Sequence, residues 1–187
     1  MTGNDIHNLA KTQSKSKEIV MRHITHRGAD LIKRWEGFVP HLYICAGGYP
    51  TIGYGHVVLP DDNYGNITGA KLLTTLKNSG LKAAKNACRI TEKEAEELLV
   101  KDVHKFEHAV LRHIDVPLTD GQFDALVSFT YNLGPAALQR STLRRKVNRE
   151  EHLDVPREFR KWVFAGGRKL KGLIKRRNNE AEVYANG

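Results

Sequence analysis

The chain has 187 residues, 40% of them hydrophobic and 27% charged, which is enough apolar material for one sizeable core and excludes a wholly disordered chain. Thirty Lys and Arg against 21 Asp and Glu give a formal net charge of +9, favouring a polyanionic partner: nucleic acid, an anionic membrane face or the bacterial envelope. Two cysteines without a CxxC spacing and nine scattered histidines argue against a zinc module or a disulfide framework, and no apolar run reaches membrane-spanning length.

In chain order, the opening "MTGNDIHNLAKTQSKSKE" is polar and lysine-rich and lacks the apolar centre of a secretory signal, so the chain is expected to start in a cytoplasm. Residues 1–27 read as a basic arm, partly helical. Between Glu18 and Glu36, Ile19, Ile24, Leu31, Ile32 and Trp35 recur at broadly helical spacing, with a break expected near Gly28 and a stop at Gly37. Leu42 to Val58 is too short and glycine-rich for a helix and suggests two or three short antiparallel strands, the only strong strand signal in the chain.

"LPDDNYGNITG" reads as a loop, followed by an irregular helical connection to Arg89. Thr91 and Glu94 then form a capping box, with Ile90 placed to staple on Ala95. The helix after it carries a stripe of Ala95, Leu98, Leu99, Asp102, Val103, Phe106, Ala109 and Val110. A second box, Thr119 and Gln122, opens a helix with Phe123, Leu126, Val127 and Leu133 on one face, ended by Gly134-Pro135. "STLRRKVN" and "PREFRKWVF" suggest short helices, Gly166-Gly167 a turn, and "GLIKRRNNEAEVY" a last helix. The fold class is α+β, mainly α.

Several residues invite chemistry, each beside an ordinary reading. Glu36 ends a helix between Trp35 and Phe38, where the macrodipole and desolvation both favour the protonated acid; it is otherwise a plain surface Glu. Cys45 is a nucleophile or a small apolar strand residue, and Thr51 a positioned hydroxyl or a β-branched strand former. Asp102 is costly on an apolar stripe unless paired, and His56 is a suitable partner.

Together these residues resemble a family. The pattern Glu36-x8-Cys45-x5-Thr51, followed by "IGYGH", is similar to the active-site region of the phage-type lysozymes, the endolysin muramidases of glycoside hydrolase family 24. The likeness continues in "ITEKEAEELLVKDV", "LTDGQFDALVSFTYNLG", "STLRRKVN" and "FRKWVFAGGRKLKGLIKRR", from about Gly28 to Tyr184. It implies a two-lobed, lysozyme-like fold. A small hairpin lobe would span residues 28–90 and a helical lobe 91–187, with a peptidoglycan strand in the cleft between them.

The resemblance further implies Glu36 as general acid, Cys45 in the second catalytic position where most members carry Asp, and Thr51 placing the attacking water. His56 and Asp102 would be a buried structural pair, and Val57, Tyr131 and Thr142 sugar contacts. The implied enzyme is a monomer that uses no metal or cofactor and binds no nucleic acid, since it has no helix-turn-helix, zinc or RNP-like motif. Arg144, Arg145, Lys175, Arg176 and Arg177 would touch the anionic envelope, which a chain made in the cytoplasm reaches through a membrane lesion. The rival implication is a peptidoglycan-binding protein with impaired catalysis. A Cys45–Cys88 bridge stays open, since it needs Cα atoms within ~7 Å.

Overall fold

The computed structural model describes residues 21–187. Its elements are α1 His26–Glu36, β1 Val39–Ile44, β2 Pro50–Gly53, β3 His56–Val57, α2 Gly69–Ala87, α3 Glu92–His113 and α4 Asp120–Leu133. They continue with α5 Pro135–Arg140, α6 Thr142–Val147, α7 Val155–Phe159, β4 Phe164–Ala165, β5 Arg168–Lys169 and α8 Lys171–Asn186. The class is mainly helical α+β, as the sequence implies.

α1 begins later than its periodicity suggests, because Thr25 caps it. The Thr25 hydroxyl accepts from the Gly28 amide at 3.3 Å, while its own amide and hydroxyl donate to Asp124 at 2.9 and 2.5 Å. Ile24 therefore precedes the helix, and Gly28 lies in its first turn instead of breaking it. The expected helical residues 18–20 and most of the basic arm lie outside the described residues. Residues 22–24 are fastened to the helical body: Arg22 donates to the Leu118 carbonyl and to Asp120, and the Ile24 amide to Glu107.

β1, β2 and β3 form an antiparallel sheet in that order, with Tyr43 opposite Thr51, Thr51 opposite Val57, and Ile52 opposite His56. Alternation divides its side chains. Leu42, Ile52 and His56 are buried on the inner face, whereas Tyr43, Thr51 and Val57 share the other. The connection after β3 returns to this sheet, since Arg89 bridges His41, the Ile90 amide donates to the Pro40 carbonyl, and α2 packs on β1. α2 is kinked at Gly80, whose φ of 80° leaves the helical region.

Both capping boxes are present in full, at Thr91–Glu94 and Thr119–Gln122. α3 buries Ala95, Leu98, Leu99, Val103, Ala109 and Val110 of the expected stripe, leaves Asp102 and Phe106 half-buried, and adds Glu107. α4 differs from the one-faced helix expected. Every residue from Phe123 to Thr130 is buried, because α1, α3, α5 and α8 surround it. Gly134, φ 85°, ends α4 as expected, but Pro135 then opens α5, a helix the sequence reading did not anticipate. The Gly166-Gly167 turn is present too, and its flanks pair as a second, two-stranded hairpin.

The contact that seats α1 on α4 is close. A Cβ placed on Gly28 would stand 2.6 Å from the Asp124 carboxyl carbon, whose oxygens hold Thr25. Gly28→Ala is expected to destabilise the chain by about 1–3 kcal/mol in chemical denaturation, because the added methyl must displace the carboxylate that anchors the cap.

Candidate active site

Glu36 is the last residue of α1, and its side chain is 22% exposed. It has a charged partner that the sequence did not indicate: Arg176 Nη1 donates to Glu36 Oε1 at 2.7 Å. The other oxygen, Oε2, lies beside Gly55, at a point 3.6 Å from where a Cβ there would sit; the Tyr131 hydroxyl is 3.7 Å from the same point. Gly55 has φ 90° and no side chain, so the backbone turn between β2 and β3 passes close to the acid. The Tyr131 hydroxyl donates to the Tyr54 carbonyl at 2.9 Å, fixing that turn to α4. Burial pushes the Tyr131 hydroxyl well above the ordinary tyrosine range, so it acts there as a neutral donor.

Arg176 belongs to a buried cluster. Glu180, fully buried, accepts from Arg176 Nε at 3.1 Å, from Arg177 Nη2 at 3.0 Å and from the Ser128 hydroxyl at 2.8 Å. Arg177 Nε approaches the second Glu180 oxygen at 2.9 Å without the alignment of a hydrogen bond. Burial raises the Glu180 carboxyl and lowers the Arg177 guanidinium to about 10, with each opposing the other's shift. Arg176 and Arg177 are thus interior residues, not part of a surface patch. Arg145 and Lys175 are exposed, and Arg144 is half-buried. Arg177, Ala181 and Tyr184 are buried at helical spacing, but the only sequence signal for that face is Ala181 and Tyr184, among dense lysine and arginine.

Cys45 follows β1 at the rim of the sheet, half-buried, with its thiol held below the ordinary range chiefly by a hydrogen bond from Thr51 and then by the backbone around Tyr49. Thr51 has one proton to give. In the structure it donates that proton to the Tyr49 carbonyl at 2.8 Å, the carbonyl that also accepts from the Cys45 amide. Tyr43, opposite Thr51, is raised by burial and then by the nearby charges of Glu36 and Cys45. It lies near enough to feel both charges, and sequence spacing gave no sign of it beyond strand alternation. Cys88 is free as well; it is buried in the core, which pushes its thiol up to about 11.

His56, on the inner face, makes the expected pair with Asp102, Nδ1 to Oδ2 at 2.8 Å. A third member was missed: His56 Nε2 meets Asp62 Oδ2 at 2.9 Å, and that oxygen also accepts from the Leu59 amide and the Tyr64 hydroxyl. Burial alone would lower the His56 pKa; the two carboxylates outweigh it and the net shift is upward. Asp62 shifts downward, as the same contacts overcome its own desolvation. Nothing in "LPDDNYG" distinguishes Asp62 from Asp61 as the inward one. Val57 is 40% exposed on the outer face, Thr142 is exposed at the start of α6, and Tyr131 is half-buried.

A helical body carrying a small sheet, with an acid at the end of the first helix set beside the sheet's outer rim, is the arrangement of a lysozyme-like glycosidase. The phage lysozyme family model matches residues 33–180, and the chain belongs to that family. It is 36% identical over 167 residues to the endolysin of Bacillus phage B103, covering 88% of this chain but only 54% of that protein. The endolysin of Acyrthosiphon pisum secondary endosymbiont phage 1 is 34% identical over 166 residues, 87% of this chain and 97% of the relative. Among solved structures, the endolysin of Escherichia coli phage FAHEc1 superimposes with a TM-score of 0.69 at 34% identity, covering 88% of this chain and 94% of that one.

The His56 cluster has a defined pH signature. Its raised histidine pKa contributes stability in full below the unfolded value of ~6.5, and loses it as pH rises through the folded value. The lowered Asp62 pKa contributes above the unfolded value of ~3.9 and loses it as pH falls through the folded one. Asp102→Asn is expected to cost about 2–3 kcal/mol near pH 5–6. The gap in Tm between mutant and wild type should narrow as pH climbs past the raised His56 pKa.

Proposed function

We propose that the chain is an endolysin that hydrolyses the β-1,4 bond between N-acetylmuramic acid and N-acetylglucosamine in bacterial peptidoglycan. The observation that carries this reading is the placement of Glu36 beside the hairpin that carries Cys45 and Thr51, both of which bond the Tyr49 carbonyl, Cys45 through its amide and Thr51 through its hydroxyl. Residues 28–90 and 91–187 serve as the two lobes about the glycan. Glu36 protonates the glycosidic oxygen as general acid. Since Oε1 is engaged by Arg176, Oε2 is the oxygen that delivers the proton.

Cys45 acts from the opposite face of the sugar, where an oxocarbenium-like centre develops, by activating water or stabilising that centre. The hydrogen bond from Thr51 supports this role, because it favours the thiolate that either task requires. Val57, Tyr131 and Thr142 contact sugars, and His56, Asp102 and Asp62 hold the sheet to α3. No step calls for a metal or cofactor. The enzyme acts as a monomer on the cell wall after release from the cytoplasm, and exposed cations such as Arg145 and Lys175 favour the anionic envelope. A binder with lost turnover would instead retain peptidoglycan without clearing a cell suspension.

Glu36→Gln is expected to reduce lysis of permeabilised Gram-negative cells by a factor of about 100 or more while the protein stays folded. The amide oxygen still accepts from Arg176, but the group has no acidic proton. Wild-type clearing by the folded variant would remove Glu36 from the mechanism.

Cys45→Asp is expected to preserve or raise lysis at neutral pH, Cys45→Ala to lose most of it, and thiol alkylation to inhibit wild type while sparing the Asp variant. An inactive Asp variant beside an active Ala variant would assign Cys45 to packing alone.

A further inference from the structure

Two and five positions beyond Asp102, and so on the far side of α3 from it, His104 and Glu107 face the segment that leads into α1. Glu107 is buried, 2% exposed, unusual for a carboxylate without a cation beside it. Its Oε1 accepts from the Ile24 amide at 2.8 Å, and its Oε2 lies 3.0 Å from His23 Nδ1. His104 brings a second imidazole to the same carboxylate. Its ring stands 5.1 Å from that of His23, tilted by 43°, and among the described residues its ring nitrogens have no hydrogen-bond partner. One donor atom from each of the three lies within 4.8 Å of the others.

We propose that His23, His104 and Glu107 form a binding site for a divalent transition-metal ion, with Zn2+ the ion it suits best. Two neutral imidazoles and one carboxylate are a borderline donor set of the kind zinc takes, and three protein ligands leave one position for water. With metal–ligand bonds of ~2.0–2.1 Å, the edge of a coordination tetrahedron is ~3.3 Å. The 3.0 Å between Glu107 and His23 is already close to that edge, and rotation of the half-buried His104 ring closes the wider separations. A cavity of about 500 Å³ adjoins the three, lined also by His26, Leu99 and Val103, and has room for the fourth ligand.

A His23–Glu107 ion pair alone would need no second imidazole. The i, i+3 spacing of His104 and Glu107 on α3 supplies one, and a bound cation would give the buried carboxylate a permanent positive partner whatever the protonation of His23. The ion would fasten residues 23–25, and through Thr25 the cap of α1, to α3. Sequence spacing hid the site, since His23 and Glu107 lie 84 positions apart.

The test uses the untagged full chain, titrated with ZnCl2 by calorimetry. Wild type is expected to bind one ion saturably and to melt at a higher temperature with zinc than with EDTA. His104→Ala and His23→Ala, which alter half-buried and exposed side chains, are expected to fold, to weaken binding by about tenfold or more, and to lose the thermal shift. Co2+ should give the visible bands of a tetrahedral nitrogen and oxygen site, absent from both variants. The proposal is overturned by no saturable binding, by unchanged affinity in both histidine variants, or by a sulfur-to-cobalt charge-transfer band that places the ion on Cys45.

Discussion

The C-terminal end of α1, at Glu36, depends on a carboxylate that water never reaches. Glu180 is fully buried, and an isolated charge there would be prohibitive; it is tolerated because Arg176, Arg177 and Ser128 converge on it from α8 and α4. The match is not one to one. Two guanidinium groups surround one buried acid, so positive charge is left over, and Arg176 turns its remaining nitrogen to Glu36 at 2.7 Å. The position of the acid is therefore set by charge balance in the core of the helical body, far along the chain from α1.

From the other side, the sheet is positioned by division of labour between neighbouring residues. His56 points inward to Asp102 and Asp62, while Val57, next to it, points outward beside Thr51. One strand of two residues thus anchors the sheet to α3 and contributes to the outer face shared with Tyr43 and Thr51. Tyr131 adds a third tie, from α4 to the turn beside Glu36. A short sheet would be marginal by itself; here its register is held by polar contacts to three separate segments.

What the sequence made legible was whatever is local. Capping boxes at Thr91 and Thr119, the stop at Gly37 and the strand alternation of β1 to β3 all depend on neighbours a few residues apart, and all are found. The His56–Asp102 pair was accessible because an acid on an apolar stripe demands a partner. Asp62 was not, since a loop gives no periodicity to say which of two adjacent acids turns inward. Arg176 and Arg177 were misread for a different reason. Arginine is usually exposed, and only the tertiary encounter of α8 with α4 reveals that their charges are used inside. The start of α1 was misplaced by Ile24, whose helical spacing was overridden by a cap reaching to Asp124.

That cap has a consequence for the order of assembly. The contacts that fasten residues 22–25 join positions 83 to 99 apart, to Glu107, Leu118, Asp120 and Asp124. Closing so long a loop is entropically unfavourable until α3 and α4 already stand together, so this stretch is expected to dock late in folding. By the same reasoning it is among the first to detach in partial unfolding. The helix that ends in Glu36 would then lose its first turn while the core behind Glu180 is still intact, and hydrogen exchange at the amides of Ala29 and its neighbours would register the loss before the molecule as a whole comes apart.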